Sequence, residues 1–276
     1  MHAGQEPSQA WNGDPIDEAE ALRRLRNGAD PSGQYYAAWW LGRNRTQSSE
    51  AVQLLKEALR QRRTRQLGDE VEENAVARNA ARALGKLGDV AHSAIPDLLA
   101  TLNDDDHGLR EAAARALGQL KAEAAIPLLI DRLSSGPEVA GAREDGSPRM
   151  KEPCDALLEA LGDIGINTPQ VLDVLRPFLT HERPVVRSSA CRALLQRTHE
   201  AQWGDAMVAL LQHDQLQVRR AALMDLGATG WRPALTAISN TLAENSLKLI
   251  ALRGLAETAE DDAVDEAILD AMDSLL

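Results

Sequence analysis

Residues 80–87 read AARALGKL and residues 113–120 read AARALGQL, so one short pattern returns almost unchanged 33 positions later. The leucine of this pattern recurs along the chain, and we call its seven positions the frame leucines. They are Leu41, Leu84, Leu117, Leu161, Leu194, Leu226 and Leu255. Three of the six intervals between them are 32 or 33 residues, the last is 29, and the other two are 43 and 44. A period of this length is typical of a stacked repeat.

Each repeat predicts a pair of helices. IPDLLATL from Ile95 and IPLLIDRL from Ile126 place apolar residues at helical spacing before a frame leucine, so a first helix and a short turn precede a second helix. We therefore predict an all-α fold, a right-handed α-solenoid of about seven HEAT-like helix pairs plus a C-terminal helix. That last helix, residues 265–276, is expected either to cap the stack or to be covered by a partner.

The domain organisation follows from the same repeat. Residues 1–15 are predicted to be a disordered N-terminal segment, and residues 16–276 a single HEAT-like repeat solenoid. The two long intervals leave room for insertions near 60–76 and 134–151. Both insertions follow a first helix, so we expect them to emerge on the same edge of the stack.

Small and basic residues recur beside the frame leucines. A glycine follows five of them, and we expect these glycines to serve close packing or helix C-capping. They are Gly42, Gly85, Gly118, Gly162 and Gly227. Arg110, Arg187 and Arg219 each lie seven residues before a frame leucine, which favours a ladder between neighbouring repeats over ligand binding. Acidic residues in the turns before these second helices suit the positive end of the helix dipole.

Composition and missing features exclude several classes of protein. The net charge of −12 disfavours nucleic-acid binding, and no apolar run is long enough for a membrane span. Residues 1–15 lack the regions of a signal peptide. Cys154 and Cys191 match neither a disulfide framework nor a zinc spacing, so a reducing compartment and a soluble, intracellular protein are expected.

Familiar catalytic motifs are absent, among them a P-loop, HExxH and GxSxG. Cys191 is expected in the core, Cys154 in the core or partly exposed, and a covalent role for either thiol is disfavoured. No metal site is expected from the histidines, and five of them are predicted to lie in exposed turns or at helix ends. These are His92, His107, His181, His199 and His213.

One segment departs from the repeat pattern. QYYAAWWLGR, residues 34–43, holds four of the eight aromatic residues of the chain. Tyr35 and Trp39 are expected on one helix face and Tyr36 and Trp40 on the next. One pair then fills the core of the terminal repeat, while the other faces outward or into the concave groove. Aromatic capping and a stacking surface for a flat conjugated ligand or a partner remain equally open on this evidence.

A second unusual stretch covers residues 218–227 and 242–253. In it, Arg219 and Arg220 are expected to pair either with carboxylates in the groove or with an acidic neighbour in the next repeat. Together with the aromatic segment, it completes a set of specific sequence features. These features are YYAAWWLGR at 35–43, RNAARALGKLGD at 78–89, RRAALMDLG at 219–227 and LAENSLKLIALRGL at 242–255.

This set resembles the E-type subunit of the heterodimeric phycocyanin α-subunit phycocyanobilin lyase, over residues 17–257. The resemblance implies an enzyme that pairs with an F-type HEAT-like lyase subunit. Together the two subunits attach an open-chain tetrapyrrole, or bilin, through a thioether to a cysteine of a phycobiliprotein alpha subunit. It implies action in cyanobacterial cytoplasm during phycobilisome assembly. The bilin is then the substrate, and no cofactor is expected.

The resemblance also suggests where ligands bind, although it assigns no catalytic residue. The candidates for contact with the bilin or the partner are four aromatic and four basic side chains. They are Tyr35, Tyr36, Trp39, Trp40, Arg78, Arg82, Arg110 and Arg219. Two alternatives to a lyase subunit remain open at this point, a non-catalytic HEAT-repeat scaffold and a chaperone that carries bilin without transferring it.

Overall fold

The computed structural model describes residues 16–62, 74–147, 149–257 and 266–276. The fifteen α-helices in these ranges form seven consecutive pairs followed by a lone helix. The first helices are α1 (Glu18–Arg26), α3 (Ser49–Arg60), α5 (Ile95–Thr101), α7 (Ile126–Leu133), α9 (Pro169–Leu175), α11 (Ala201–Leu210) and α13 (Leu235–Asn240). The second helices are α2 (Pro31–Arg43), α4 (Ala75–Leu87), α6 (His107–Gln119), α8 (Cys154–Ile164), α10 (Pro184–Thr198), α12 (Leu216–Thr229) and α14 (Asn245–Glu257), and the lone helix is α15 (Glu266–Asp273).

The predicted all-α stack of seven helix pairs is confirmed. Short 3-10 turns lead into or extend several first helices, at Gly88–Ala94, Glu123–Ala125, Arg176–Thr180 and Arg232–Ala234. The described ranges contain no β-strand, and their single β-bridge joins Arg143 to Met150. Within the same ranges no helix is long and apolar enough to cross a membrane. The predicted N-terminal segment 1–15 lies outside the described residues.

Local signals explain where several helices begin. The Asp30 carboxylate accepts a hydrogen bond from the Gly33 N–H at 2.9 Å, and Pro31 occupies the first turn of α2. Asp106 caps α6 in the same way, accepting from the Leu109 N–H at 3.0 Å. A side-chain cap is not general, however, because none forms at the start of α10 or α12. Arginines organise the turns before those two helices, as described below.

The frame leucines form the spine of the core, and all seven are buried. The glycines that follow them confirm the close-packing prediction. A Cβ added to Gly42 would lie 2.8 Å from the Ala83 Cα, and one added to Gly85 would lie 2.7 Å from the Ala116 Cα. The C-capping alternative is wrong for these glycines, because they lie within the helices. Left-handed backbone occurs instead at other glycines, such as Gly165 and Gly230 at the ends of α8 and α12.

This packing identifies the inner layer of the solenoid. Consecutive second helices approach each other much more closely than consecutive first helices do. Helices that are closer together lie on the inside of a curve, so the second helices form the concave layer. The glycine-on-alanine contacts between them set that spacing.

The regular inner layer is interrupted between α10 and α12. Leu195 follows the frame leucine of α10 at the position where five other second helices have glycine. Here α10 and α12 pack less closely than the other neighbouring second helices. The buried apolar side chains divide at the same point, with Leu194 in one cluster and Leu195 in the other. The wider step leaves space on the concave side that polar side chains occupy.

The C-terminal helix is a cap, the first of its two expected roles. Ile268 of α15 is buried in the second apolar cluster, and Met272 and Leu275 pack against it. The Asn245 amide donates to the Leu275 carbonyl at 2.8 Å, which fastens the end of the chain to α14. The cap still leaves Leu269 exposed.

Both insertions follow first helices, as predicted. Most of the first one, between α3 and α4, lies outside the described residues. The second, between α7 and α8, is a loop whose two sides are joined by the bond from the Lys151 N–H to the Ala142 carbonyl at 2.9 Å. Ala140 and Met150 are buried in the core, so this loop is anchored to the solenoid.

Candidate functional site

The exposed side chains of the concave layer follow one stripe. Residues six before, two before and two after a frame leucine are one helical turn apart and share a face. We call this face the inner stripe. Its middle column contains the residues two before each frame leucine. They are Trp39, Arg82, Arg115, Glu159, Arg192, Met224 and Arg253. Two of the grooves formed by the described residues open along this stripe.

The N-terminal groove lies between α2 and α4 and has a volume of about 520 Å³. Its lining contains three of the predicted site residues, Tyr35, Arg78 and Arg82. The Asn79 amide donates to the Tyr35 carbonyl at 2.8 Å and fixes α2 against α4. Arg78 lies 3.6 Å from the Asp106 carboxylate, whereas Arg82 is exposed and forms no ion pair with the described residues. The groove therefore presents an aromatic ring beside guanidinium groups.

The neighbouring aromatic side chains differ from their predicted pairing. Trp40 alone packs against the core, while Tyr35, Tyr36 and Trp39 remain 43%, 41% and 38% exposed. The rings of Tyr36 and Trp39 stack with centroids 5.4 Å apart, and the Arg43 guanidinium lies 5.3 Å from the Trp39 ring centre. The outward-facing pair of Tyr35 and Trp39 is confirmed, because both side chains are exposed. The core pair of Tyr36 and Trp40 is wrong, because Tyr36 is exposed and stacks on Trp39, three residues away. We call Tyr35, Tyr36 and Trp39 the aromatic platform.

The other two predicted arginines lie outside both grooves. Arg110 donates to the Asp104 carbonyl at 2.8 Å and to the Lys151 carbonyl at 2.6 Å. Arg219 donates to the His213 carbonyl at 2.6 Å and to the Leu242 carbonyl at 2.8 Å. Each one joins its own turn to the next repeat, which confirms the predicted ladder for both.

Two related arginines also have structural partners. Arg187 donates to the His181 carbonyl at 2.7 Å, within its own turn. Arg220 pairs with Glu244 of the next repeat, with its Nε atom 3.0 Å from the carboxylate. The salt-bridge interpretation of Arg220 is therefore confirmed. These contacts join neighbouring turns and repeats, and Arg220, six residues before Leu226, forms its ion pair on the inner stripe itself.

A second, central groove of about 410 Å³ lies on the wider step, across α6, α8, α10 and α12. Its charged and amide-bearing lining residues are Arg115, Gln119, Asp155, Glu159, Asp163, Arg192 and Asp225. None of the predicted site residues is among them. The repeat frame could have indicated this groove, because Arg115, Glu159 and Arg192 occupy successive places in the middle column. Their recurrence is visible only once the helices are aligned on the frame leucines.

Arg192 is the centre of an ion network in this groove. Its Nη2 atom lies 2.7 Å from the Asp163 carboxylate, and its Nη1 atom lies 3.3 Å from Glu159 and 3.4 Å from Asp225. Arg115 pairs with Asp155 at 2.9 Å and also contacts Glu159. The network thus spans four repeats, from α6 to α12.

Two serines donate hydrogen bonds to the two most buried carboxylates of the network. Ser188 donates to Asp225 at 2.5 Å, and Ser189 donates to Glu159 at 3.2 Å. Burial raises the pKa of Glu159 to about 7, although Arg115 and Arg192 oppose the shift. Burial also raises the pKa of Asp225 above its ordinary value, against the effect of Arg192. The groove therefore contains one carboxyl group, Glu159, that exchanges its proton close to neutral pH, and a second, Asp225, whose pKa is also raised.

The histidine prediction is wrong at His181 and is confirmed at His107, which lies at a helix end. His181 is buried, because the loop around Gly141 covers its ring. Its Nδ1 atom accepts from the Arg183 N–H at 3.0 Å, and its ring stacks on Phe178 with centroids 6.4 Å apart. His107 is half-buried at the start of α6. His92 and His199 are exposed as predicted, and the described residues contain no cluster suited to a metal ion.

The cysteines offer no reactive thiol. Both are buried, which confirms the core prediction for Cys191 and decides between the two alternatives for Cys154. Burial raises the pKa of Cys154 to about 12 and that of Cys191 to about 11. Because the thiolate is the nucleophilic form, neither side chain is suited to covalent catalysis at neutral pH.

Comparison with known proteins finds matches to two families of HEAT repeats and to full-length relatives. HEAT repeats match residues 64–145 and 141–227, and the PBS lyase HEAT-like repeat matches residues 34–61 and 218–244. Bilin biosynthesis protein RpcE of Synechococcus sp. WH8020 is 47% identical over 272 residues, covering 99% of this chain and all of that protein. Phycocyanobilin lyase subunit alpha of Nostoc sp. PCC 7120 is 42% identical over 275 residues, covering 97% and 96% of the two chains.

A solved structure has the same architecture. It is the complex of CpcE and CpcF of phycocyanin lyase from Nostoc sp. PCC7120. A chain of that complex superimposes with a TM-score of 0.82 at 41% sequence identity. The match covers 99% of this chain and 100% of the other.

Proposed function

The chain belongs to the phycocyanobilin lyase alpha-subunit family of HEAT-repeat proteins, and on that premise we propose that it is the E-type subunit of a phycobilin lyase. With an F-type subunit, it attaches phycocyanobilin or a related open-chain tetrapyrrole to a cysteine of a phycobiliprotein alpha subunit. One observation carries this proposal, the 42% identity to a phycocyanobilin lyase alpha subunit along nearly the full length of both chains.

The chemistry of the reaction fits a site without a nucleophile. The thiol of the acceptor protein adds to the ethylidene group of the pigment, so a carbon–sulfur bond forms as the double bond is lost. The thiol proton is transferred to the pigment, and no oxidant, reductant or leaving group is needed. The lyase must hold the pigment and orient the acceptor thiol. On this proposal the bilin is the substrate, and the reaction requires no cofactor.

The N-terminal groove supplies groups suited to such a pigment. The aromatic platform offers exposed ring faces to a flat conjugated molecule, and Arg82 and Arg78 offer guanidinium groups to its propionate side chains. Trp40 supports the platform from the core side. Arg110 and Arg219 act indirectly, because they hold neighbouring repeats in register.

The cellular setting follows from the same proposal. An E-type lyase subunit acts in the cytoplasm, where phycobilisomes are assembled. Residues 16–276 act as one solenoid domain that exposes its concave face to the pigment and the acceptor. Nucleic acid has no part in this function, in keeping with the net charge of −12.

Co-expression tests the proposal directly. The chain is produced with an F-type subunit, a phycobiliprotein alpha subunit and a source of phycocyanobilin. We expect an alpha subunit that remains coloured after denaturation, and a colourless one when either lyase subunit is omitted. A persistently colourless acceptor, in an assay that works with an authentic lyase pair, would support the scaffold alternative. Pigment that binds this chain and is lost on denaturation would support the chaperone.

A further inference from the structure

A buried amide side chain joins the two helices that form the N-terminal groove. Asn79 lies on α4, and its Nδ2 atom donates to the Tyr35 carbonyl of α2 at 2.8 Å. The Tyr35 ring belongs to the lining of the groove, as do Arg78 and Arg82, which stand on either side of Asn79 in the sequence. One hydrogen bond therefore connects the backbone that carries the ring to the helix that carries the guanidinium groups.

The repeat does not require an amide at this position. Asn79 lies five residues before its frame leucine, and the same place in α6, α8 and α12 is occupied by Ala112, Ala156 and Ala221. A buried amide costs free energy unless it is hydrogen-bonded, whereas an alanine side chain has no polar group to satisfy. Helix packing alone therefore does not account for an asparagine here.

The Tyr35 carbonyl does not require this bond either. Tyr35 and Trp39 both lie within α2, and a carbonyl inside an α-helix accepts from the N–H four residues later. The bond from Asn79 is thus an additional one, which the second lone pair of the oxygen can accept. Its main effect is on position, because a donor–acceptor distance of 2.8 Å limits how far α2 can move along α4.

Toward their C-terminal ends, α2 and α4 meet through small residues. A Cβ added to Gly42 would lie 2.8 Å from the Ala83 Cα, so the two backbones are nearly in contact there. Glycine and alanine permit this close approach, but neither has a directional side-chain group. A buried polar group can select one register between two helices, as it does in coiled coils. In the N-terminal groove, that register decides how far the Tyr35 ring lies from the guanidinium groups.

We propose that Asn79 is a positioning residue of the lyase, which holds the Tyr35 ring beside Arg78 and Arg82 without contacting the pigment itself. This inference rests on the bilin lyase function proposed above. The conjugated part of the pigment and its propionates belong to one molecule, so the ring face and the guanidinium groups must be reached together. A shift of α2 along α4 separates these contacts and weakens pigment binding.

Initial rates of acceptor colouring test this role. The complex of this chain with its F-type subunit is supplied with the phycobiliprotein alpha subunit and with phycocyanobilin at several concentrations. Asn79→Ala introduces the residue that three other second helices have at this place. We expect it to raise KM for the pigment roughly three- to tenfold, the effect of about one net hydrogen bond, and to change kcat much less.

Thr241→Val is the matched control for stability. The buried Thr241 hydroxyl donates to the Leu211 carbonyl at 2.9 Å, so this change also removes a buried bond to the backbone, but between α11 and α14. Its midpoint of urea unfolding should fall about as far as that of Asn79→Ala, while its KM should remain at the wild-type value. Equal effects of the two variants on KM would show that Asn79 has a purely structural role and would overturn the inference.

A double-mutant cycle identifies the group that Asn79 positions. Tyr35→Ala removes the exposed ring but keeps the backbone carbonyl, so the acceptor for Asn79 remains. Once the ring is absent, Asn79→Ala should raise KM further by less than about twofold, because residues that act together are not additive. An undiminished effect of Asn79→Ala in the Tyr35→Ala protein would contradict the proposed role.

Asn79→Ser takes the place of Asn79→Ala in all these measurements if the alanine variant does not fold. The serine side chain is shorter than the amide, and α10 already has a serine at this place, Ser189, which bonds to the Val185 carbonyl of its own helix. We therefore expect the serine variant to lose the bond to α2 and to raise KM in the same way. A wild-type KM for the variant that folds would overturn the inference.

The outcomes separate this inference from the proposed function. A coloured acceptor together with a wild-type KM for the Asn79 variant would leave the lyase function standing and reject the positioning role. Wild-type protein that gives no coloured acceptor, in an assay that works with an authentic lyase pair, would reject both proposals.

Discussion

Trp39 and Trp40 are neighbours in the sequence, but their side chains have different surroundings. Trp39 is exposed, with one ring neighbour in Tyr36 and a guanidinium neighbour in Arg43. Trp40 is half-buried and packs against the core of the terminal repeats. Substitution of the two residues therefore separates the proposed pigment contact of Trp39 from the structural contact of Trp40.

We predict that Trp39→Ala lowers the yield of coloured alpha subunit in the co-expression assay several-fold, because a stacking face is removed. Its free energy of unfolding should change by no more than about 0.5 kcal/mol, as is usual for exposed sites. Trp40→Ala should cost roughly 2 kcal/mol of stability, somewhat below the cost of truncating a fully buried tryptophan. The yield of coloured alpha subunit and the free energy of unfolding from chemical denaturation are measured for each variant. A wild-type yield for Trp39→Ala would show that the aromatic platform does not contact the pigment.

Glu159 gives the protein a dependence of stability on pH. Its folded-state pKa is raised to about 7 from an ordinary value of 4.5, chiefly by burial. The folded state therefore binds more protons than the unfolded state between these values, and the contribution to stability is full below pH 4.5 and is lost as the pH rises through 7. The pKa of Asp225 is raised in the same direction.

We predict that Glu159→Gln flattens this part of the stability profile. The glutamine keeps an acceptor for Ser189 and cannot ionise, so the decline from pH 5 to 8 should be smaller than in wild-type protein. Urea denaturation at several pH values measures the difference. Asp173→Asn, at an exposed carboxylate on α9, is the control that should leave the profile unaltered. A variant whose decline matches that of wild-type protein would show that Glu159 is ionised throughout.

At the scale of the helices, the second-helix glycines set the distance between repeats. In an exposed helix interior, glycine is about 1 kcal/mol less favourable than alanine. An alanine at these positions should nevertheless be harmful, because its Cβ would collide with the next helix. At Gly85 the nearest obstacles are the Ala116 Cα at 2.7 Å and the Ala116 Cβ at 3.0 Å.

We predict that Gly85→Ala destabilises the protein by roughly 1–3 kcal/mol, the usual cost of overpacking, in spite of the better helix propensity of alanine. Gly28→Ala is the matched control, since a Cβ there would meet nothing within 4 Å, and its effect should stay within about 0.5 kcal/mol. Thermal or urea unfolding of the two variants decides the matter. A stabilised Gly85→Ala protein would mean that the repeats can separate without cost.

The helices could be predicted from the sequence because each unit repeats the same local pattern. The frame leucines and the close-packing glycines recur at fixed offsets, so their burial follows from periodicity alone. The ring stack of Tyr36 on Trp39 could not be predicted, because two adjacent aromatic pairs permit several rotamer combinations on one helix. The burial of His181 also escaped prediction, since it depends on an insertion loop that covers it from another repeat.

The central groove was missed for a different physical reason. Its charged side chains are spread over four second helices, and in the sequence each one looks like an ordinary solvated residue of its own helix. They meet because α6, α8, α10 and α12 are successive helices of the concave layer and present these side chains to one groove. The N-terminal groove was easier to find, because its aromatic residues stand together in one short segment.

At the scale of the whole molecule, the two ends of the solenoid are unequal. Its C-terminal end carries several large apolar side chains that the capping helix leaves in solvent. They are Leu242, Ile250, Leu269 and Leu276, exposed by 81%, 51%, 45% and 92%. Exposed apolar surface of this kind favours association with another protein surface. The N-terminal end has its aromatic residues on the inner stripe instead.

We therefore predict that the chain self-associates through its C-terminal end when it is purified without a partner. Light scattering after size-exclusion chromatography should show a mass that rises with protein concentration. Leu242→Gln combined with Ile250→Gln should reduce this association, because less apolar surface is then removed from water on contact. Val139→Gln is the control, since Val139 is comparably exposed but lies in the loop between α7 and α8. If wild-type protein were a monomer at every concentration, the exposed apolar side chains at the C-terminal end would not drive self-association.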